Sequence, residues 1–162
     1  MLTWEEIGWV RNLTELPLVL KGIATPEDAV LAVEHGVEVI YVSNHGGRAL
    51  DYGLATMDVL QAIVRAVAGR AEVIVDGGFQ RGTDVLKGIA LGASGVAIGR
   101  LMCCALAAGG DEGLRQALEI LRVEMDTTMA NIGVSNLSEL GPEYLTQEAT
   151  PVPSEPLLYD RD

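Results

Sequence analysis

Four short runs of apolar residues punctuate the chain: LPLVL at 16–20, VEVIYV at 37–42, EVIV at 72–75 and GVAI at 95–98. Each is too short and too continuously apolar to be a surface helix, which suits strands buried on both faces of a parallel sheet. Helical patterns fill the gaps between them. TPEDAVLAVEHG carries a capping residue in Thr25, a proline suited to the first turn in Pro26, acids at the positive end and a terminator in Gly36. A second pattern starts near Thr56, turns Val59, Leu60, Ile63, Val64 and Val67 to one side, and stops at Gly69. A third starts near Thr83 and stops at Gly92, and a fourth runs from about Gly113 to Met129. Strand and helix alternating four times give right-handed βαβ units and a parallel sheet, an α/β fold.

Residues 1–15 read as a lead-in helix with Trp4, Ile7 and Trp9 turned toward the body, and residues 16–140 as the βα units. The stretch 141–162 has no apolar period and gathers Pro151, Pro153 and Pro156, so it reads as an extended or disordered tail. A complete βα barrel needs about 250 residues and rarely fewer than about 200; these 162 would hold only part of one. The net charge of −12 disfavours binding to nucleic acid or to an anionic membrane surface. No apolar run reaches the ~18 residues of a membrane helix, and the acidic start is unlike a secretory signal. Cys103 and Cys104 are adjacent, which suggests neither a disulfide framework nor a metal site, and points to a reducing cytoplasm. They read as packing inside a helix.

Ligands in parallel α/β folds bind beyond the carboxyl ends of the strands. Those ends are Lys21-Gly22, then Ser43-Asn44-His45-Gly46-Gly47-Arg48, then Asp76-Gly77-Gly78, then Gly99-Arg100. The glycines expose backbone amides, a helix start adds positive potential and an arginine supplies a fork of donors, which together make a phosphate site. Arg48 follows His45 closely enough for one turn to bring both to a ligand, and a guanidinium suits a carboxylate. On position alone, His45 is as readily structural as catalytic. His35, at a helix end, is explained by the negative terminus and has no assigned function.

LPLVLKGI, VSNHGGRALDYG, DGGFQRGTDVLKGIALGA and AIGR together resemble the carboxyl-terminal half of the FMN-dependent 2-hydroxy-acid oxidases and dehydrogenases, the family of glycolate oxidase, lactate oxidase and mandelate dehydrogenase. The resemblance covers roughly residues 3–140 and implies half of a (β/α)8 TIM barrel, its strands five to eight. It implies FMN as cofactor and a small 2-hydroxy acid as substrate. By the same resemblance, His45 takes the substrate hydroxyl proton, Arg48 binds its carboxylate, and Lys21 and Ser43 contact the flavin. Asp76, Gly77, Gly78, Gly99 and Arg100 would hold the ribityl chain and phosphate. Gln80 stands where the family usually has an arginine, and it adds no charge to that phosphate site. The tyrosines that orient substrate and the aspartate that partners the histidine would belong to the other half.

Beside this enzyme reading stands another, a non-catalytic half domain that binds FMN weakly or only assembles with a partner. Four strands leave two open edges and an inner face on which Leu18, Leu20, Val39 or Ile40, Ile74 and Val96 or Ile98 are expected. A homo-oligomer, or pairing with an amino-terminal half, is therefore expected.

Overall fold

The computed structural model describes residues 3–146. Helix α1 (Trp4–Arg11) leads into β1 (Val19–Ile23), α2 (Pro26–Glu34), β2 (Val39–Val42), α3 (Thr56–Val67), β3 (Glu72–Val75), α4 (Gly82–Ala90), β4 (Gly95–Val96) and α5 (Arg100–Ile132). The four strands form one parallel sheet in the order β1-β2-β3-β4. Thr25 caps α2 by accepting from the Asp28 amide at 3.2 Å, with Pro26 in the first turn. Strand β1 lies further along the chain than its apolar run, reaching through Lys21 and Gly22 to Ile23, with an irregularity in the ladder between Lys21 and Ile23.

The register fixes which side chains share a face. Leu20, Ile40 and Val73 form one row, and Lys21, Tyr41, Ile74 and Gly95 the next. Successive residues of a strand point to opposite faces, so Ile40, Val42, Val73 and Val75 lie together under the helices. They are buried with Ala29, Ala32, Leu60, Ile63 and Val67 of α2 and α3. Each large aliphatic side chain so enclosed contributes about 1.5–3 kcal/mol. Leu20, expected on the inner face, therefore belongs to the helix-covered side; of the alternatives Val39 or Ile40 the first is the inner one, while Val96 and Ile98 both pack on the core. The uncovered side carries Val39, Tyr41 and Ile74.

Three other expectations change. Trp4 and Ile7 pack on the core, but Trp9 is 64% exposed. Ahead of the helix expected from about Gly113 lies a further helical stretch, since α5 begins at Arg100, breaks at the non-helical Gly109 and Gly110 and then resumes to Ile132. A 3-10 turn at Pro142–Tyr144, closed by the Leu145 amide donating to the Pro142 carbonyl at 3.0 Å, occupies the start of the expected tail. The remainder of that tail, 147–162, lies outside the described residues.

Candidate active site

Lys21 sits on the uncovered face, and its ammonium donates to Ser43 Oγ at 2.6 Å. It also pairs with Asp76 Oδ2 at 3.2 Å and lies 4.8 Å from the centre of the Tyr41 ring. Asp76 is held at the end of β3, where its amide donates to the Val42 carbonyl at 3.1 Å. Among the described residues its other carboxylate oxygen, Oδ1, is buried without a hydrogen-bond partner. Burial, and after it the Asp76 charge, pushes the Tyr41 phenol above its ordinary pKa. Ser43 is buried, and its hydroxyl also accepts from the His45 amide at 3.2 Å, tying the lysine to the loop that follows β2.

That loop is a tight turn with φ of 56° at His45, 70° at Gly46 and 73° at Gly47. A non-glycine residue at positive φ is strained and persists only where its surroundings hold it. Asn44 does so, its Oδ1 accepting from the Gly46 amide at 3.1 Å and its Nδ2 donating to the Leu54 carbonyl at 3.4 Å. Gly22 makes room for the imidazole, since a Cβ there would lie 3.0 Å from His45 Cε1. Arg48 Nε donates to the His45 carbonyl at 3.2 Å, and among the described residues its two terminal nitrogens have no partner. Thr56, buried at the start of α3, donates its hydroxyl to the Asp76 carbonyl at 2.5 Å. A Cβ at Gly77 would lie 2.7 Å from that hydroxyl, so this position has to be glycine for the link to close.

These residues border one cleft of about 340 Å³ at the carboxyl ends of the strands. Lys21, His45, Arg48, Asp76, Gly77, Gly78, Gly99 and Arg100 line it, while Ser43 lies beneath, bonded to Lys21. Gln80 does not line it; its side chain is exposed, and its amide donates to Asp84 Oδ2 at 3.2 Å. Cys103 lines it instead, and both cysteines are exposed rather than packed in the helix.

The amino-terminus of α4 holds a carboxylate already. Glu124 of α5 accepts from the Gly82 amide at 2.7 Å and pairs with Arg81 at 2.7 Å, and that amide, then Arg81, holds the Glu124 carboxyl below its ordinary pKa. Of the cations the sequence places near a phosphate, Arg81 is thus engaged elsewhere and Arg100 borders the cleft, at the start of α5. Among the described residues no group of three or more His, Cys, Asp and Glu is arranged to hold a metal ion. Tyr41, Asn44 and Thr56 were not singled out by sequence reasoning. Tyr41 had a signal: it is the one aromatic in an apolar run, two residues before Ser43.

The family model for FMN-dependent dehydrogenases matches residues 1–147. The chain belongs to that family. Its relatives include an L-lactate oxidase of Nostoc sp., 48% identical over 89% of this chain and 40% of the relative, and the glycolate oxidase of Spinacia oleracea, 46% identical over 91% and 40%. The crystal structure of mandelate oxidase with benzoyl-formic acid superposes with a TM-score of 0.83 at 49% identity, covering 86% of this chain and 42% of that one. The chain thus spans about 40% of the length of the relatives it matches. With four parallel strands in sequential order, it has the architecture of a half barrel. Among the described residues, no helix is long and apolar enough to cross a membrane.

Proposed function

We propose that the cleft binds FMN and that, in a closed barrel, its residues oxidise a small 2-hydroxy acid to the 2-oxo acid. The observation that carries this reading is the convergence of Lys21, His45, Arg48 and Asp76 on one rim beside the buried, unpartnered Asp76 Oδ1. An orphan carboxylate oxygen suits a polyol hydroxyl, and Gly78 and Gly99 have open space where side chains would stand. With Arg100 and the start of α5, they can receive a phosphate. The residues fit the cofactor.

When bound, FMN supplies the acceptor for the two electrons that leave with the substrate's α-hydrogen. The Arg48 terminal nitrogens are free to take the substrate carboxylate as a bidentate pair, which fixes the α-carbon. A ring nitrogen of His45 accepts the hydroxyl proton, removing the negative charge that would otherwise develop on that oxygen. Lys21 keeps a positive charge where the cofactor ring would gain a negative one. Ser43 orients that ammonium and, through the His45 amide, ties it to the base. Relatives bearing these names include a lactate oxidase, a glycolate oxidase and a peroxisomal (S)-2-hydroxyacid oxidase of Arabidopsis thaliana, so the substrate class we assign is the short 2-hydroxy acid. The two free cysteines favour a reducing compartment, the cytoplasm.

The 40% span favours a second reading, a half domain that is inactive until a partner, a second copy or an amino-terminal half, closes the barrel. Adding FMN and then, without oxygen, a 2-hydroxy acid to the purified chain separates the two. A yellow protein that bleaches supports the enzyme reading, and His45→Ala should stay yellow while bleaching about 10²- to 10⁴-fold more slowly. A yellow protein that never bleaches supports the half domain. A colourless one supports a half domain that holds FMN only once a partner closes the barrel.

A further inference from the structure

Among the described residues, the face of the sheet left uncovered carries one aromatic ring, Tyr41, directly beside Lys21 in the strand register. We propose that Tyr41 is a positioning residue of the cleft, its ring supporting the Lys21 ammonium from below, so that the lysine charge is held at the rim. The inference rests on the reading of Lys21 as the cofactor-facing cation.

The geometry leads there in three steps. A lysine side chain has four rotatable carbons and, left alone on an open face, spreads its charge over many positions. Here the ammonium is restrained from three directions: Ser43 Oγ at 2.6 Å, Asp76 Oδ2 at 3.2 Å and the Tyr41 ring centre at 4.8 Å. The last distance is within the range in which a ring face attracts a cation. The two oxygen partners come from the ends of β2 and β3, above the ammonium's own row, and both can also serve a ligand. The ring comes from the row itself and is not among the residues lining the cleft. It is the one restraint that a ligand entering the cleft would not displace.

A merely space-filling residue on this face would be replaceable by leucine.

The chain contains just two lysines, Lys21 and Lys87, which makes the test clean. Lys87 lies on α4, paired with Asp84 at 3.4 Å, and serves as internal reference. The flavin-free 162-residue chain is treated briefly with an acylating reagent, and the ratio of Lys21 to Lys87 modification is read by peptide mass spectrometry. Tyr41→Leu should raise that ratio about two- to fivefold, the fold-change equivalent of one exposed cation–π contact. Tyr41→Phe and Tyr41→Trp, which keep a ring, should leave it near the parent value. A ratio in Tyr41→Leu equal to the parent, or in Tyr41→Phe equal to Tyr41→Leu, overturns the proposal. Far-ultraviolet melting of each variant verifies the fold, and the tryptophan variant preserves the test if leucine unfolds the chain. Because no flavin is needed, a chain that fails to bind FMN counts against the enzyme reading of the lone chain and leaves this measurement standing. In a chain that does bind it, Tyr41→Leu should lower the flavin midpoint potential relative to Tyr41→Phe.

Discussion

Helices α3 and α5 are both amphipathic by sequence, yet they end up in opposite circumstances. The 12 residues of α3 bury Thr56, Val59, Leu60, Ile63 and Val67, whereas the 33 residues of α5 bury Leu121 alone. The difference is one of place. Helix α3 lies over the middle of the sheet with α2 beside it, but α5 follows the last strand and packs on α4, and among the described residues no further strand follows it. Its Leu106, Leu118, Ile120 and Val123 are exposed. On the opposite flank, an apolar groove of about 650 Å³ opens between α1 and β1, lined by Trp4, Ile7, Val10, Val19 and Leu20. A βα layer is therefore saturated at its centre and unsaturated at both ends, as half of a closed architecture has to be.

The largest effect should separate the two helices outright. Leu60→Ala, at a fully buried position, should lower unfolding free energy by about 2–5 kcal/mol in urea titration. Ile120→Ala, at a position 51% exposed, should cost under about 0.5 kcal/mol in a monomer. Comparable losses at both sites would mean that the α5 face is covered in solution, and sedimentation should then report a species heavier than 17.2 kDa.

A smaller effect tests the seat that α5 does have. A Cβ at Gly82 would meet the Leu121 carbonyl and lie 2.7 Å from Glu124 Cβ. Gly82→Ala should therefore cost about 1–3 kcal/mol. A neutral substitution would show that α5 is not seated on α4 in solution.

The smallest is a pH effect at the same contact. The Glu124 carboxyl titrates below its ordinary 4.5 in the folded chain, so its contribution is complete above pH 4.5 and is lost as pH falls through the lower folded value. Amide exchange in α4 and α5 should accelerate over that window. Glu124→Gln should flatten the response there but leave the acid sensitivity around Glu38, whose carboxyl is lowered first by the Leu18 amide and then by Arg11. An unchanged profile in the glutamine variant would remove Glu124 from the contact.

What was legible in the sequence was whatever local chemistry decides. EVIV became β3 without a residue gained or lost, and Thr25-Pro26 opened α2 as their capping preferences dictate. The clustering of the polar strand ends followed from the parallel topology, which brings every carboxyl end to one rim. Three things were not legible because they depend on partners distant in sequence. Strand β1 carries Lys21 and Gly22 inside it because pairing with β2 outweighs their polarity. The face on which Ile40 lies is settled by register, since a slip of one residue exchanges the two sides. Gln80 and Arg81 stand side by side in the motif, and nothing local says that Glu124, 43 residues after Arg81, will engage the arginine.

The order β1-β2-β3-β4 means that each strand is laid beside the one made immediately before it. On a ribosome, where residues emerge from the amino-terminus onward, every new strand finds its partner finished and waiting, with only one intervening helix to fold. No segment has to wait for a distant one, so loop-closure costs stay low and each step presents the same kind of edge to the next. Synthesis of such a sheet can begin or stop at a unit boundary without disturbing the pairings already made. Growth, in this architecture, is a matter of adding to an edge.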